Sequence, residues 1–174
     1  MIAVTDRPRI GVSACLLGER VRYDGRDKRD AWLVEILGPQ IEWVAVCPEV
    51  EAGLGTPRPP MNLGRDAAGR IVLITDRVRD DLTATMIEYS ARRAGELAAA
   101  DLDGYVLKAG SPSCGLDVAV EGSRDRGRGV FAAALTSRLP DLPVADERQL
   151  AEPSAREQFV ARVFARHRQR KMTT

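Results

Sequence analysis

Cys15, Cys47 and Cys114 are the residues of this chain best suited to chemistry, and a single histidine, His167, is available to assist them. Each cysteine lies at or shortly after the end of an apolar stretch: residues 9–14 (RIGVSA), 41–46 (IEWVAV) and 104–107 (GYVL). These stretches read as strands, so all three thiols are expected at the C-terminal edge of a sheet, where open α/β folds place ligands and reactive groups. Three cysteines cannot pair off within one chain, and a reducing compartment disfavours even one structural disulfide, which leaves buried packing, catalysis or inorganic ligation. There is no C-x-x-C for a dithiol centre and no pair of cysteine knuckles for a closed zinc ribbon. A cysteine nucleophile normally takes a histidine partner, but His167 falls in the basic run RHRQRKMTT and is expected on the surface.

Taken singly, each cysteine could be a small buried hydrophobe. Taken together they favour a site, because packing gives no reason to prefer one edge of a sheet. The segments ACLLG, VCPEVEAGLG and SPSCG surround the thiols with turn chemistry, so backbone amides could face an anionic sulfide cluster there. Three thiolates without a histidine would leave one vertex of a cubane cluster without a protein ligand, and an open iron is a Lewis acid.

The elements that must position these groups follow from periodicity. Helical signals cover residues 31–37, closed by Gly38 and Pro39, and about 80–100, where Leu82, Met86, Tyr89 and Leu97 keep nearly helical spacing. Between them, AGLGTPRPPMNLG reads as an active-site loop, and residues 62–75 as a β-hairpin turning near 67–69. Residues 115–129 read as loop, 130–139 as a helix, 142–144 as extended, and Pro153 opens a last helix whose Phe159, Val160, Val163 and Phe164 dock on the core. The expected architecture is one three-layer α/β/α domain over residues 1–174 with a mainly parallel sheet.

Charge narrows the partners. The 26 Lys and Arg nearly balance the 25 Asp and Glu, so no long-range field points to a nucleic-acid polymer or a membrane surface. The first residues lack a sustained apolar run and no later stretch approaches the roughly 20 apolar residues of a span, so a soluble cytoplasmic protein is expected. SRDRGRG before a helix, with Arg124, Arg126 and Arg128, suits a phosphate at a helix N-terminus, which would make a nucleotide a candidate substrate.

The segments VSACLLGERVRYDG, VCPEVEAGLGTPRPP and LKAGSPSCG resemble the thiouracil desulfurases, a bacterial family formerly called a domain of unknown function, and the resemblance runs from about residue 10 to about 147. It implies a 4Fe-4S cluster, oxygen-sensitive, on Cys15, Cys47 and Cys114, with the fourth iron open to the sulfur of a thiolated pyrimidine. It also implies Glu49 of the CPE motif as the carboxylate that activates water and Ser111 of SPSCG as an aid to proton transfer. From residue type alone, Glu49 could instead compensate a helix dipole and Ser111 could simply form a turn ahead of Pro112. Tyr23 and Asp24 are expected to contact the base and Arg58 to clamp the substrate, against the plainer readings of an ordinary turn and a solvated loop tip. The competing functions are an iron-sulfur or sulfur-carrier protein without turnover, and a module whose cysteines take zinc or stay free.

Overall fold

The computed structural model describes residues 6–173. The chain runs β1 (Arg9–Ser13), a wide-turned helical segment (Trp32–Leu37), β2 (Glu42–Val46), a four-residue helix α1 (Pro48–Glu51), β3 (Met61–Arg65), β4 (Ile71–Thr75) and α2 (Thr83–Ala98). It continues through β5 (Gly104–Leu107), β6 (Val118–Ala119), β7 (Arg126–Gly127), α3 (Val130–Arg138), β8 (Val144–Asp146) and α4 (Pro153–Thr173).

Four of these strands form a parallel sheet in the order β2-β1-β5-β8. Their side chains alternate between two apolar clusters. Tyr105 and Leu107 of β5 join Met86, Tyr89 and Leu97 of α2 and Phe131 and Leu135 of α3 on one face. Ile10 and Val12 of β1 and Val106 of β5 join Leu33 and Leu37 of the wide-turned segment and Phe159 and Val163 of α4 on the other. This period of two, with helices covering both faces, is the expected three-layer arrangement. Gly11 belongs to the α2 and α3 face, where a Cβ would come within 2.2 Å of the Tyr105 ring, so only glycine lets that ring lie across β1.

The chain goes from β1 outward to β2 and then returns past β1 to β5 and β8. Crossovers of one hand must change faces when the direction reverses, and they do: Trp32–Leu37 covers one face, α2 and α3 the other. The reversal leaves a crevice beyond the C-terminal ends of β1 and β5.

The hairpin falls where the sequence places it. Asp66 accepts from the Ala68 and Arg70 amides, both at 2.9 Å, and Gly69 takes φ +78° at the turn. Three readings need correction. Residues 32–37 form wide turns closed by a Gly38 N–H to Leu33 carbonyl bond, not regular α-helix. The span read as loop contains the short antiparallel pair β6–β7, tied to the hairpin by pairing of Leu63 with Val120. His167 is buried at 8% exposure, with Nδ1 2.9 Å from Asp103 Oδ2 and Nε2 3.1 Å from Asp6 Oδ1, so α4 is docked as far as this residue, while Arg168, Gln169 and residues 171–173 are exposed. A basic run hid it, because its positive neighbours face both solvent and a buried carboxylate.

Candidate active site

Cys15, Cys47 and Cys114 line one cavity of about 650 Å³ at the C-terminal edge of the sheet, together with Glu49, Arg58 and Ser111. Among the described residues none of the three is in a disulfide. Cys15 sits in the helical turn Ala14–Leu17 directly after β1, and its carbonyl accepts from Gly18 and Lys28 amides, which folds the following loop back over the strand end. Gly18 stops that turn at φ +98°, a conformation costly for other residues. Cys47 is the residue before α1, with Pro48 at the first helical position.

Cys114 lies in the tight turn after β5. Ser111 Oγ accepts from the Ser113 and Cys114 amides at 3.2 and 3.1 Å, so the turn-forming reading of Ser111 holds for its oxygen, while its hydroxyl proton remains free to donate. The N-terminus of α3 packs onto this turn: Phe131 and Ala132 amides donate to the Ser113 carbonyl, and Val130 to that of Pro112. A Cβ on Gly129 would stand 2.4 Å from the Ser113 oxygen, which explains glycine before the helix. These bonds also correct the phosphate reading of SRDRGRG, because the helix amides are already taken by the cysteine turn.

Burial pushes the Cys15 thiol up to about 11, against the lowering pull of Lys108, and the Cys47 thiol up to about 12, helped by the charge of Glu49. Burial raises Cys114 strongly too, and the charges of Glu49, Cys15 and Cys47 add to it. Each thiolate thus opposes the others, a penalty that a cationic metal centre bound by them would reverse.

Glu49 is buried on α1, with the Cys47 thiol 3.6 Å from its Oε2 and Arg58 Nη2 3.9 Å away. Arg58 donates through Nη1 to the carbonyls of Val21 and Gly55, and its backbone amide donates to the Tyr23 carbonyl, so it joins the loop that follows Cys15 and the loop that follows α1 into one wall. Its Nε is buried without a partner. A Thr56–Pro57 cis peptide precedes it.

Tyr23 lines the cavity and is 41% exposed, with the Arg22 guanidinium 5.5 Å above its ring. Asp24 is turned away to cap the Arg26 amide at 3.0 Å and does not line the cavity. Arg128 does not line it either; its Nη1 donates to Thr136 Oγ1 of α3 at 2.9 Å. Arg126 pairs with Asp117.

Residue-type reasoning missed the cavity's other polar groups. Lys108 Nζ pairs with Glu147 Oε1 at 2.5 Å, and Glu147 Oε2 accepts the Ala109 amide at 2.7 Å. Arg22, Lys28 and Arg148 add positive charge to the lining, and among the described residues neither Lys28 nor Arg148 has an ion-pair partner. The signal for Lys108 was its place after a strand end inside the segment LKAGSPSCG.

A doubly covered parallel sheet with three unpaired thiols and a buried carboxylate in one cavity at its switch point places its reactive groups where α/β enzymes hold their active sites. The 2-thiouracil desulfurase family model matches residues 10–147, and the chain belongs to that family of enzymes. A solved structure described as a 4Fe-4S-dependent thiouracil desulfidase, TudS, is 35% identical, with a TM-score of 0.70, and the match covers 89% of this chain and 99% of that one. An uncharacterised protein of Bacillus subtilis strain 168, YbbK, is 29% identical over 132 residues, spanning 71% of this chain and 87% of its own length. No helix among the described residues is long and apolar enough to cross a membrane.

Proposed function

We propose that this chain removes sulfur hydrolytically from a thiolated uracil or its nucleoside or nucleotide, releasing hydrosulfide, with a 4Fe-4S cluster held by Cys15, Cys47 and Cys114. The observation that carries the reading is the meeting of three thiols from three separate strand ends at one cavity beside a buried carboxylate. Among the described residues no group of three His, Cys, Asp or Glu side chains closes around a single ion. A lone tetrahedral zinc needs its sulfurs about 3.8 Å apart, from Zn–S bonds near 2.3 Å. A cubane gives each cysteine its own iron, which suits three thiols brought from three separate strand ends to one cavity with no histidine among its lining residues.

When bound, such a cluster supplies one iron without a cysteine ligand, a Lewis acid for the thiocarbonyl sulfur. The protein's own groups do the rest. Glu49 accepts a proton from water as the oxygen attacks the thiocarbonyl carbon, and the same proton returns to the departing sulfur. Ser111, whose hydroxyl proton is not used by its turn, donates at the sulfur or relays that proton. The balance is one C=S bond and one water converted to one C=O bond and hydrogen sulfide, ionised to hydrosulfide, with no electron gained or lost. Arg58 holds Glu49 from the side and lines the cavity wall the substrate would face. Tyr23 provides a ring against which a pyrimidine can stack.

A nucleotide substrate is supported by Lys28, Arg148 and Arg22 in the cavity lining and not by the arginines before α3. Anaerobically reconstituted protein assayed on thiolated uracils, nucleosides and nucleotides tests the reading. Hydrosulfide release over many turnovers is expected. Stoichiometric sulfide uptake without turnover would favour a sulfur carrier instead.

A further inference from the structure

We infer that Tyr89 and Glu51 are positioning residues for Glu49, holding from behind the single helical turn that carries it. The inference rests on Glu49 being the base of the proposed reaction. The helix α1 has four residues, Pro48–Glu51, and a helix that short does not hold itself in water. Glu49 and Glu51 are two positions apart, about 200° around the turn, so they leave it on opposite sides. Glu49 lines the cavity, whereas Glu51 Oε2 accepts a hydrogen bond from the Tyr89 hydroxyl at 2.6 Å and another from Arg93 Nε at 2.9 Å, both on α2. Arg93 is fixed in turn by Glu96 Oε2 at 3.0 Å. Tyr89 is only 4% exposed and packs in the cluster that joins α2 and α3 to the sheet, so its hydroxyl reaches α1 from a rigid base.

The Glu49 side chain has little else to fix it. The Cys47 thiol, 3.6 Å from its Oε2, gives up its proton when it serves as a ligand, and Arg58 Nη2 at 3.9 Å lies beyond direct hydrogen-bond reach. The direction of the carboxylate then follows the orientation of α1. Ala52 and Leu54 pack on the core just past the turn, and the side-chain hydrogen bonds from α1 to α2 among the described residues all end on Glu51. Placement matters at the reacting carbon, where a shift of about 1 Å can cost on the order of 10²-fold in rate.

The test compares anaerobically reconstituted wild type with Tyr89→Phe, Glu51→Ala and Glu51→Gln, reading kcat and KM per cluster-loaded molecule beside iron and sulfide content. Tyr89→Phe keeps the buried ring and removes only the donor. It should load its cluster fully and lower kcat about 10- to 100-fold with KM nearly unchanged, the mark of a misplaced base. Glu51→Gln, which keeps an oxygen for the Tyr89 hydroxyl, should recover most of the turnover lost in Glu51→Ala. A wild-type kcat in Tyr89→Phe with its cluster intact overturns the inference, as does an equal loss in Glu51→Gln and Glu51→Ala. Should Tyr89→Phe fail to fold, the two variants at Glu51, whose side chain is 33% exposed, decide alone. Full turnover in Glu49→Gln defeats the reading beneath the inference, whereas its loss there beside a normal Tyr89→Phe defeats the inference only.

Discussion

The two edges of the parallel sheet both bury ionisable side chains, and they treat them in opposite ways. At the N-terminal edge, Asp103 is fully buried and saturated: it accepts from the Arg9 amide at 2.9 Å, from Arg170, and lies 2.9 Å from the His167 ring. At the C-terminal edge, three thiols are forced up by burial, Arg58 Nε lacks a partner, and Lys28 and Arg148 have no counter-ion among the described residues. The saturated edge fastens α4 to the sheet. The opposite edge pairs Lys108 with Glu147 yet leaves several of its other groups without partners among the described residues, a pattern that fits a site better than a brace.

Substitutions at each edge break this contrast in different measurable ways. The largest effect is expected for Cys47→Ala, which should abolish iron retention and reduce hydrosulfide release to background while circular dichroism and thermal unfolding of the iron-free protein stay close to wild type. Next comes Glu49→Gln, which should keep the brown cluster and lower kcat by about 10²- to 10⁴-fold, as loss of a general base does. A variant with full turnover would reassign the base.

At the other edge, Asp103→Ala should leave the Arg170 and His167 groups without their buried acceptor and cost roughly 3–5 kcal/mol in denaturant unfolding, while turnover per folded molecule is unchanged. A loss of turnover without a loss of stability would erase the division between brace and site. The smallest effect is expected for Lys28→Ala: if a phosphate binds there, KM for a thiolated nucleotide rises about tenfold, the scale of one charged hydrogen bond, while KM for the free base stays put. Equal KM changes for both substrates would remove the phosphate from the site.

The sequence made the working edge legible and the braced edge nearly invisible. Cys15, Cys47 and Cys114 follow short apolar runs, and a strand end is a local property, so position alone anticipates their convergence. Residues 104–107 read as a strand in sequence and form one to the residue, and Asp66 and Gly69 mark the hairpin turn. Whatever depends on long-range pairing is hidden. His167 is masked by charged neighbours until Asp103, 64 positions earlier, supplies its partner. Glu147 and Arg148 carry no motif, and only the β5–β8 pairing brings them to the cavity beside Lys108. Arg128 and Asp24 show the reverse error, since each sits in a suggestive glycine-containing segment yet bonds within its own neighbourhood, Arg128 to Thr136 and Asp24 to the Arg26 amide.

The most direct test of the central claim is metal and sulfide analysis of the protein reconstituted without oxygen. Three thiolates gripping one cubane require about four irons and four acid-labile sulfides per chain, by the usual cluster stoichiometry, with all three thiols protected from alkylation together. One zinc per chain with no labile sulfide, or cysteines that react independently of one another, would contradict it.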